Sequence, residues 1–235
     1  MSLEIPGQLN SEEREIVLAA IIDIKPRAAL EVGTWMGGGS TATILRGLQQ
    51  NQKGHLWGIE ADRSTYEQML ENIRLAVPGA AVRFTPLFGF SQEVIPKWLA
   101  DQDRQFEIDF VFLDGGNNPG EQISEFELID PYMPVGAILM AHDAKLRKGK
   151  WLVPYASMLD NWESRVHDVS AEGLFVAKKR ELSPSAKSLH SARAQLFRMR
   201  LQLAELAAAI LPAKACAFFL ALMPDELRRN LSEGR

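Results

Sequence analysis

The chain has 235 residues, of which 46% are hydrophobic and 24% are charged, a composition typical of a globular protein with a buried core. Its net charge of −4 and its lack of a basic stripe argue against a nucleic-acid partner, so we expect small-molecule ligands. The single cysteine, Cys216, excludes an intrachain disulfide and a cysteine-based zinc cluster. No basic segment followed by an apolar stretch opens the sequence, and we therefore expect a cytoplasmic protein.

Helix and strand patterns alternate along the first 140 residues. Ser11 and the glutamates after it predict the start of a helix that ends at Lys25-Pro26. The pattern then predicts five strands and the helices between them. The strands are 28–32, 55–60, 82–87, 106–113 and 137–140, and the helices are 40–49, 64–77, 91–100 and 121–129. Such alternation with short connections predicts right-handed crossovers and an open parallel sheet.

The remaining residues complete the predicted sheet and add an extension. A helix at 151–160 precedes a hairpin whose strands are 165–169 and 174–178. The prediction is therefore an α/β, Rossmann-like, doubly wound, mostly parallel seven-stranded sheet with an antiparallel closing hairpin, over residues 1–180.

Residues 181–235 form a predicted helical C-terminal extension. It combines a helix at 189–209 with an apolar segment at 213–223, which is too short to be an integral membrane segment. We expect a homo-oligomer that forms through these C-terminal helices, with association at a lipid surface as the alternative.

Glycines dominate the turn after the first predicted strand. Residues 31–40 read Glu-Val-Gly-Thr-Trp-Met-Gly-Gly-Gly-Ser. Glycines at such a turn can take positive φ and let a ligand approach the backbone, while the next helix points free N–H groups at the same place. The turn predicts a nucleotide-sized site, unless its glycines only shape the turn. Because three residues separate Gly33 from Gly37, the G-x-G-x-x-G fingerprint of dinucleotide sites is absent.

Polar residues or glycines stand at the carboxyl end of every predicted parallel strand, where ligands of such sheets bind. One acidic residue in such a place is commonly only a helix cap, but five tips in register argue for one site. Glu60 follows the second strand and can accept both hydroxyl protons of a ribose. S-adenosylmethionine carries a ribose without a phosphate, and its sulfonium suits carboxylates and aromatic faces.

Four segments carry a resemblance to a known family. They are Glu31–Trp35, Gly58–Glu60, Gly89–Pro96 and Phe110–Asp114. In this order they resemble motifs of the class I S-adenosylmethionine-dependent methyltransferases, and within them the metal-dependent small-molecule O-methyltransferases of the catechol type. The resemblance covers residues 10–180 and implies that residues 1–180 form an S-adenosylmethionine-binding methyltransferase domain.

The resemblance implies a cofactor site in which Gly33 and Trp35 line the methionine moiety, Glu60 holds the ribose, and Ser91 with Gln92 contacts the adenine. The complete implied set of cofactor-binding residues is Glu31, Gly33, Thr34, Trp35, Gly37, Ser40, Glu60, Ala61, Gly89, Ser91, Gln92 and Asp114.

The resemblance also implies that Asp114, His142 and Asp143 ligate a divalent metal. Because imidazole is a softer ligand than carboxylate, this set suits Mn²⁺, Fe²⁺ or Zn²⁺ at least as well as Mg²⁺. Asn117 stands where catechol-type enzymes have a lysine base. His142 is then either a ligand or the proton acceptor, with Lys145 as the second candidate, and the catalytic set is Asp114, His142 and Lys145. His142 could equally be a structural histidine.

These residues predict methylation of a small-molecule hydroxyl on a phenol, a sugar or another natural product, assisted by a divalent metal. Asn117 and Asn118 would suit polyol hydroxyls. Four side chains could either pack on an acceptor ring or belong to the core; they are Trp151, Tyr155, Met158 and Trp162. The alternatives are a Rossmann-type NAD-dependent oxidoreductase, which the lack of a Tyr-x-x-x-Lys pair disfavours, and a non-catalytic cofactor-binding protein.

Overall fold

A computed structural model describes residues 5–210 and contains a seven-stranded sheet. Its strands run in the order β3-β2-β1-β4-β5-β7-β6. The first five are parallel, and β7 is antiparallel to both β5 and β6. This topology confirms the predicted Rossmann-like sheet with its closing hairpin. The strands are β1 Ala28–Val32, β2 His55–Glu60, β3 Phe84–Phe88, β4 Phe110–Leu113, β5 Ile138–Ala141, β6 Trp162–His167 and β7 Leu174–Lys179.

Side-chain caps begin several of the helices that flank the sheet. Asn10 forms a capping box with Glu13 at the start of α1, and Asp62 and Asn118 cap α3 and α5. These caps satisfy N–H groups that the first helical turn leaves unpaired. The helices are α1 Ser11–Ile24, α2 Ser40–Gln50, α3 Arg63–Ala76, α4 Ser91–Ala100, α5 Pro119–Ile129, α6 Gly149–Met158 and α7 Leu189–Ile210, with short 3₁₀ turns at Ala80–Val82 and Asp130–Tyr132.

The central strands β1, β4 and β5 of the parallel sheet bury both faces, as β4 illustrates. Phe110 and Phe112 pack with α1, α2 and α3, whereas Val111 and Leu113 pack with α4, α5 and α6. Side chains alternate across a strand, so one apolar run supplies two cores. The sheet is packed between two hydrophobic layers of helices, and this packing fixes the positions of the strand ends that form the site.

Two strands begin later than the sequence predicted. Residue 82 ends a 3₁₀ turn with its side chain 78% exposed, so β3 begins at Phe84. In β4 the predicted strand included Phe106, but this ring packs edge-on against Trp57 and Trp98, with centroids 5.7 and 5.5 Å away. The apolar run is therefore continuous in sequence but divided in space, because its first part fills an aromatic cluster.

The C-terminal helix α7 packs against α6. Ala194, Leu201 and Ala204 are buried, and Arg198 pairs with Glu127 through two hydrogen bonds of 2.8 and 2.9 Å. The predicted apolar segment 213–223 and Cys216 lie outside the described residues. Within residues 5–210, none of the helices combines the length and the apolar character needed to cross a bilayer.

Candidate active site

A cavity of about 400 Å³ opens at the carboxyl ends of β1, β2 and β4. Its walls bring together residues that are far apart in the sequence, as expected for the ligand-binding edge of a parallel sheet. Nine of the predicted site residues line it: Gly33, Trp35, Glu60, Ala61, Gly89, Ser91, Gln92, Asp114 and Asp143.

The carboxylate of Glu60 is held by three main-chain N–H groups. Oε2 accepts a hydrogen bond from Trp35 at 2.9 Å, and Oε1 accepts from Ala61 at 2.9 Å and Asp62 at 3.0 Å. Trp35 has φ +45°, a left-handed conformation that a bulky side chain rarely adopts. The turn after β1 and the tip of β2 are thereby joined, and the carboxylate has a fixed position in the cavity wall.

Gly33 lets the tips of β1 and β4 meet. It has φ +85°, and a Cβ at this position would lie 2.3 Å from the carbonyl oxygen of Asp114. On the β4 side, the N–H of Asp114 donates to the carbonyl of Val32 at 2.8 Å. A glycine is required here by close approach as well as by φ, so this turn cannot accept another residue without moving Asp114.

The other glycines of the turn contact the N-terminal segment and α3. A Cβ on Gly38 would lie 2.3 Å from the carbonyl oxygens of Ile5 and Pro6, and one on Gly7 would lie 2.4 Å from the nitrogen of Gly39. Gly37 faces the side chains of Met69 and Ile73 instead. The glycine-rich turn thus accommodates the backbone of residues 5–9, which brings Gln8 to the cavity.

Several predicted cofactor residues lie behind the cavity wall. Glu31, Thr34 and Ser40 are buried, with Glu31 fully excluded from solvent. Burial raises the pKa of the Glu31 carboxyl to about 8, although the hydroxyls of Ser40 and Thr41 oppose the increase. At neutral pH Glu31 is therefore uncharged and supports the turn from beneath.

Glu125 on α5 lines the cavity and was missed by the sequence prediction. The hydroxyl of Ser91 donates to its Oε1 at 2.5 Å, and Oε1 of Gln92 lies 3.0 Å from the same hydroxyl. Burial raises the pKa of Glu125 to about 7, against the opposing effect of Ser91. The available signal was helical spacing, since Glu125 shares the buried face of α5 with Gln122 and Ile129.

His142, just beyond the end of β5, lies among carboxylates. Its Nδ1 is 3.5 Å from Asp114 Oδ1 and 3.3 Å from Asp143 Oδ1, and its Nε2 is 3.4 Å from Glu13 Oε2. Burial alone would lower the pKa of His142, but Asp114, Asp143 and Glu13 outweigh it and the net pKa is raised. The neighbouring carboxylates therefore stabilise the protonated imidazole relative to the neutral ring.

Lys148 places its ammonium between the two aspartates. Its Nζ lies 2.5 Å from Asp114 Oδ1 and 2.9 Å from Asp143 Oδ2. Asp114, His142 and Asp143 offer donor atoms within 4.8 Å of one another, the set predicted for a metal. As they stand, however, these residues do not fit a divalent cation, because a lysine cation already bridges both carboxylates.

Lys148 was not among the predicted site residues. It belongs to a basic segment, 145–150, of the kind that is typical of a solvated surface. The predicted Lys145 points elsewhere: its Nζ pairs with Asp168 and donates to the carbonyl of Ser170 at 2.6 Å. Lys145 thus lies outside the group formed by Asp114, His142 and Asp143.

The residues predicted to contact an acceptor divide between the cavity and the core. Asn117 lines the cavity, whereas the side chain of Asn118 caps α5 by accepting from Gly120 at 2.9 Å. Trp151 and Trp162 are buried, and Tyr155 and Met158 pack against the core. These four side chains therefore stabilise α6 and β6 and take no part in the cavity wall.

Comparisons with known proteins agree with this fold. Residues 30–144 match a family described as a methyltransferase domain. Two crystal structures are similar to the chain over most of its length. An O-methyltransferase from Bacillus cereus in complex with S-adenosylhomocysteine aligns with TM-score 0.61 and 16% identity, covering 74% of this chain and 83% of that one. The O-methyltransferase TomG from Streptomyces achromogenes, in complex with S-adenosylmethionine, aligns with TM-score 0.61 and 18% identity, covering 74% and 82%.

A search of curated protein sequences finds no significant match. The TM-scores of 0.61 show a shared fold despite the low sequence identity, and the family match covers the strands that build the cavity, from within β1 to just past β5. The part of the chain from residue 30 to residue 144 is therefore similar to a methyltransferase domain, and the chain has the fold of the class I S-adenosylmethionine-dependent methyltransferases.

Proposed function

We propose that the protein transfers the methyl group of S-adenosylmethionine to a hydroxyl oxygen of a small molecule. The observation that carries the proposal is the fixed carboxylate of Glu60, which stands in the cavity beside the Gly33 turn and is suited to accept from a ribose hydroxyl. The O-methyltransferase neighbours support oxygen as the acceptor atom.

The cavity offers separate places for the donor and the acceptor. Glu60, Ala61, Ser91 and Gln92 line it on the side of β2 and α4, where the donor's adenosine would bind. Asp114, Asp143 and Lys148 line it on the side of β4 and β5. An acceptor bound against these charged groups would meet the methyl carbon near the tip of β1, and this placement is the main contribution a methyltransferase makes to the reaction.

The bound donor supplies an electrophilic methyl group on a sulfonium. In the proposed reaction the acceptor oxygen attacks that carbon in line, the oxygen–carbon bond forms as the carbon–sulfur bond breaks, and the sulfur keeps the bonding pair and becomes neutral. The hydroxyl proton passes to the carboxylate of Asp143 and then to water. Asp143 suits this role because its side chain is 16% exposed, against 5% for Asp114.

The acceptor must enter through the open side of the cavity, where polar and apolar groups alternate. Asn117 and Glu121 offer hydrogen bonds, and the ring of Phe90 is 66% exposed at the same cavity. A small molecule that combines a ring with hydroxyl groups matches this lining, which includes phenols, sugars and other natural products.

Metal assistance is the second version of this function, and the donor atoms of Asp114, His142 and Asp143 are the observation that favours it. It requires Lys148 to withdraw from both aspartates. The two versions differ in their response to EDTA, which would abolish a metal-dependent transfer and leave the lysine version intact.

The decisive experiment separates cofactor from acceptor. Calorimetry with S-adenosylhomocysteine and with NAD tests the cofactor before any acceptor is known, and tight binding of NAD alone would overturn the proposal in favour of an oxidoreductase. Transfer of labelled methyl groups to a panel of phenols and sugars then tests the reaction. Binding of S-adenosylhomocysteine without transfer to any acceptor in the panel would favour a non-catalytic binding protein.

We also propose that α7 pairs with a second copy of the chain. Its exposed face carries apolar residues at alternating spacings of three and four, the pattern of a coiled-coil seam, and a helix with the same seam is the partner that such a pattern fits. The opposite face of α7 is buried on α6. The seam consists of Leu189, Ala192, Leu196, Met199, Leu203, Leu206 and Ile210.

A further inference from the structure

Lys148 is among the most deeply buried charged groups of the site. Its side chain is 4% exposed and reaches the cavity, with Nζ 2.5 Å from Asp114 Oδ1, 2.9 Å from Asp143 Oδ2 and 3.5 Å from the carbonyl of Gly115. Lysine is almost never buried to this extent unless it is paired. Because breaking such a pair leaves an uncompensated buried charge, the two aspartates and the lysine form one electrostatic unit.

The loop between β5 and α6 sets the position of this ammonium. Asp143 has φ +57°, and its carbonyl accepts from the N–H of Leu146 at 2.9 Å. A Cβ on Gly149 would lie 2.5 Å from the carbonyl oxygen of Ala144, so the loop closes tightly on itself. Asp143 and Lys148 are thereby held at the two ends of a short turn, and Lys148 points back to the strand tips.

The ammonium stands where a bridging cation would have to stand. A divalent metal that binds both aspartates would need one carboxylate oxygen from each within about 2.0–2.6 Å of the ion. The ammonium nitrogen already lies within 3 Å of one oxygen from each. Two cations at this separation would repel strongly in a buried site, so lysine and metal exclude each other.

We propose that Lys148 is the resident cation of the active site and replaces a divalent metal. Its ammonium has three protons, of which two are committed to Asp114 and Asp143. The third has only the carbonyl of Gly115, at 3.5 Å, as a partner and can turn to the acceptor oxygen, where it stabilises the negative charge that develops as the proton leaves for Asp143. This catalytic half of the inference rests on the proposed methyl transfer, whereas the exclusion of metal does not.

The test is titration of the full chain with Mn²⁺, followed by electron paramagnetic resonance. We expect the wild type to bind no Mn²⁺ at this site and the Lys148→Ala variant to gain one site, at least about tenfold tighter than any in the wild type. Removal of the ammonium leaves the carboxylates of Asp114 and Asp143 without the cation that bridges them. The matched control is Lys145→Ala, which removes a neighbouring lysine that pairs with Asp168 and is expected to gain no site.

Stoichiometric binding of Mn²⁺ to the wild type, undiminished in affinity relative to Lys148→Ala, would overturn the inference. Lys148→Met keeps the aliphatic stem and serves if the alanine variant does not fold, with a cooperative urea-denaturation transition as the criterion of folding. Should a new Mn²⁺ site form in an otherwise folded variant while no methyl transfer is found in the wild type, the proposed function fails but the exclusion of metal stands. If the wild type transfers methyl groups, two results support the catalytic role of Lys148: the activity is lost in Lys148→Met, and the wild-type activity is insensitive to EDTA. Full activity of Lys148→Met contradicts that role.

Discussion

The main-chain N–H of Trp35 donates to Oε2 of Glu60 at 2.9 Å across 25 positions of sequence. This bond joins the turn after β1 to the tip of β2 and holds Trp35 in its left-handed conformation. The carboxylate therefore has two tasks, since it closes the turn and presents its one remaining acceptor position, on Oε2, to the cavity. A single residue couples the shape of the site to its expected affinity for a ribose.

Replacement of Glu60 is expected to weaken binding of the cofactor. Hydrogen bonds to charged groups are worth about 1.5–3 kcal/mol, so Glu60→Gln should reduce the affinity for S-adenosylhomocysteine by roughly 10- to 100-fold in calorimetry. Glu67→Gln is the matched control, because it removes a carboxylate from the exposed face of α3. Equal affinities for the two variants would contradict the assigned role of Glu60.

The buried carboxyl of Glu31 makes stability depend on pH. Its pKa is raised to about 8 in the folded protein, whereas in the unfolded chain it ionises near its ordinary value of 4.5. The folded state thus retains a proton that the unfolded state loses, so its contribution is fully present below pH 4.5 and declines as the pH rises towards 8.

Glu31→Gln mimics the protonated carboxyl and removes this dependence. We expect the variant to gain stability relative to the wild type as the pH is raised from 5 to 8.5, by about 1.4 kcal/mol for each unit of the raised pKa and by a few kcal/mol at most. Urea denaturation at several pH values measures the difference. A gap between variant and wild type that stays constant with pH would show that Glu31 is ionised when folded.

Glu13 links the N-terminal helix to the site. Its carboxylate accepts from Asn10 N at 3.0 Å and from Ser170 Oγ at 2.6 Å, and it faces His142. Glu13→Ala should therefore destabilise the protein by about 1–3 kcal/mol, because it leaves the N–H of Asn10 and the hydroxyl of Ser170 without their acceptor and removes one half of the capping box of α1.

Denaturation of Glu13→Ala should be compared with that of Glu12→Ala, which removes the adjacent and exposed carboxylate. The control variant is expected to lie within about 0.5 kcal/mol of the wild type. Comparable stability of both alanine variants would mean that Glu13 does not hold His142 in place.

The seam on α7 predicts a dimer that polar substitution disrupts. In the double variant Leu196→Gln and Leu203→Gln, two side chains that are 52% and 53% exposed lose their apolar contacts with the partner, and light scattering should give half the mass of the wild type. The matched control carries Leu75→Gln and Leu182→Gln, which change two exposed leucines outside the seam, and it is expected to keep the mass of the wild type. A monomeric wild type, or a double variant of unchanged mass, would exclude pairing through α7.

The sequence determined the order of the elements because hydrophobic periodicity is a local property. The apolar strands, their alternation with helices and the polar strand tips could all be predicted, since parallel strands that are buried on both faces must be apolar and must end at a common edge. Glu60 and Asp114 could be placed in the site on this basis alone.

The partners of each charge were decided only by the tertiary structure. Lys148 reaches the aspartates because the loop from Asp143 turns back on itself, and Glu125 meets Ser91 because α5 packs beside α4. The ionisation of Glu31 and His142 depends on burial and on neighbours from other elements. Short-range pattern specifies which residues end a strand, but electrostatic interaction depends on distance in space, and only the packed chain sets that distance.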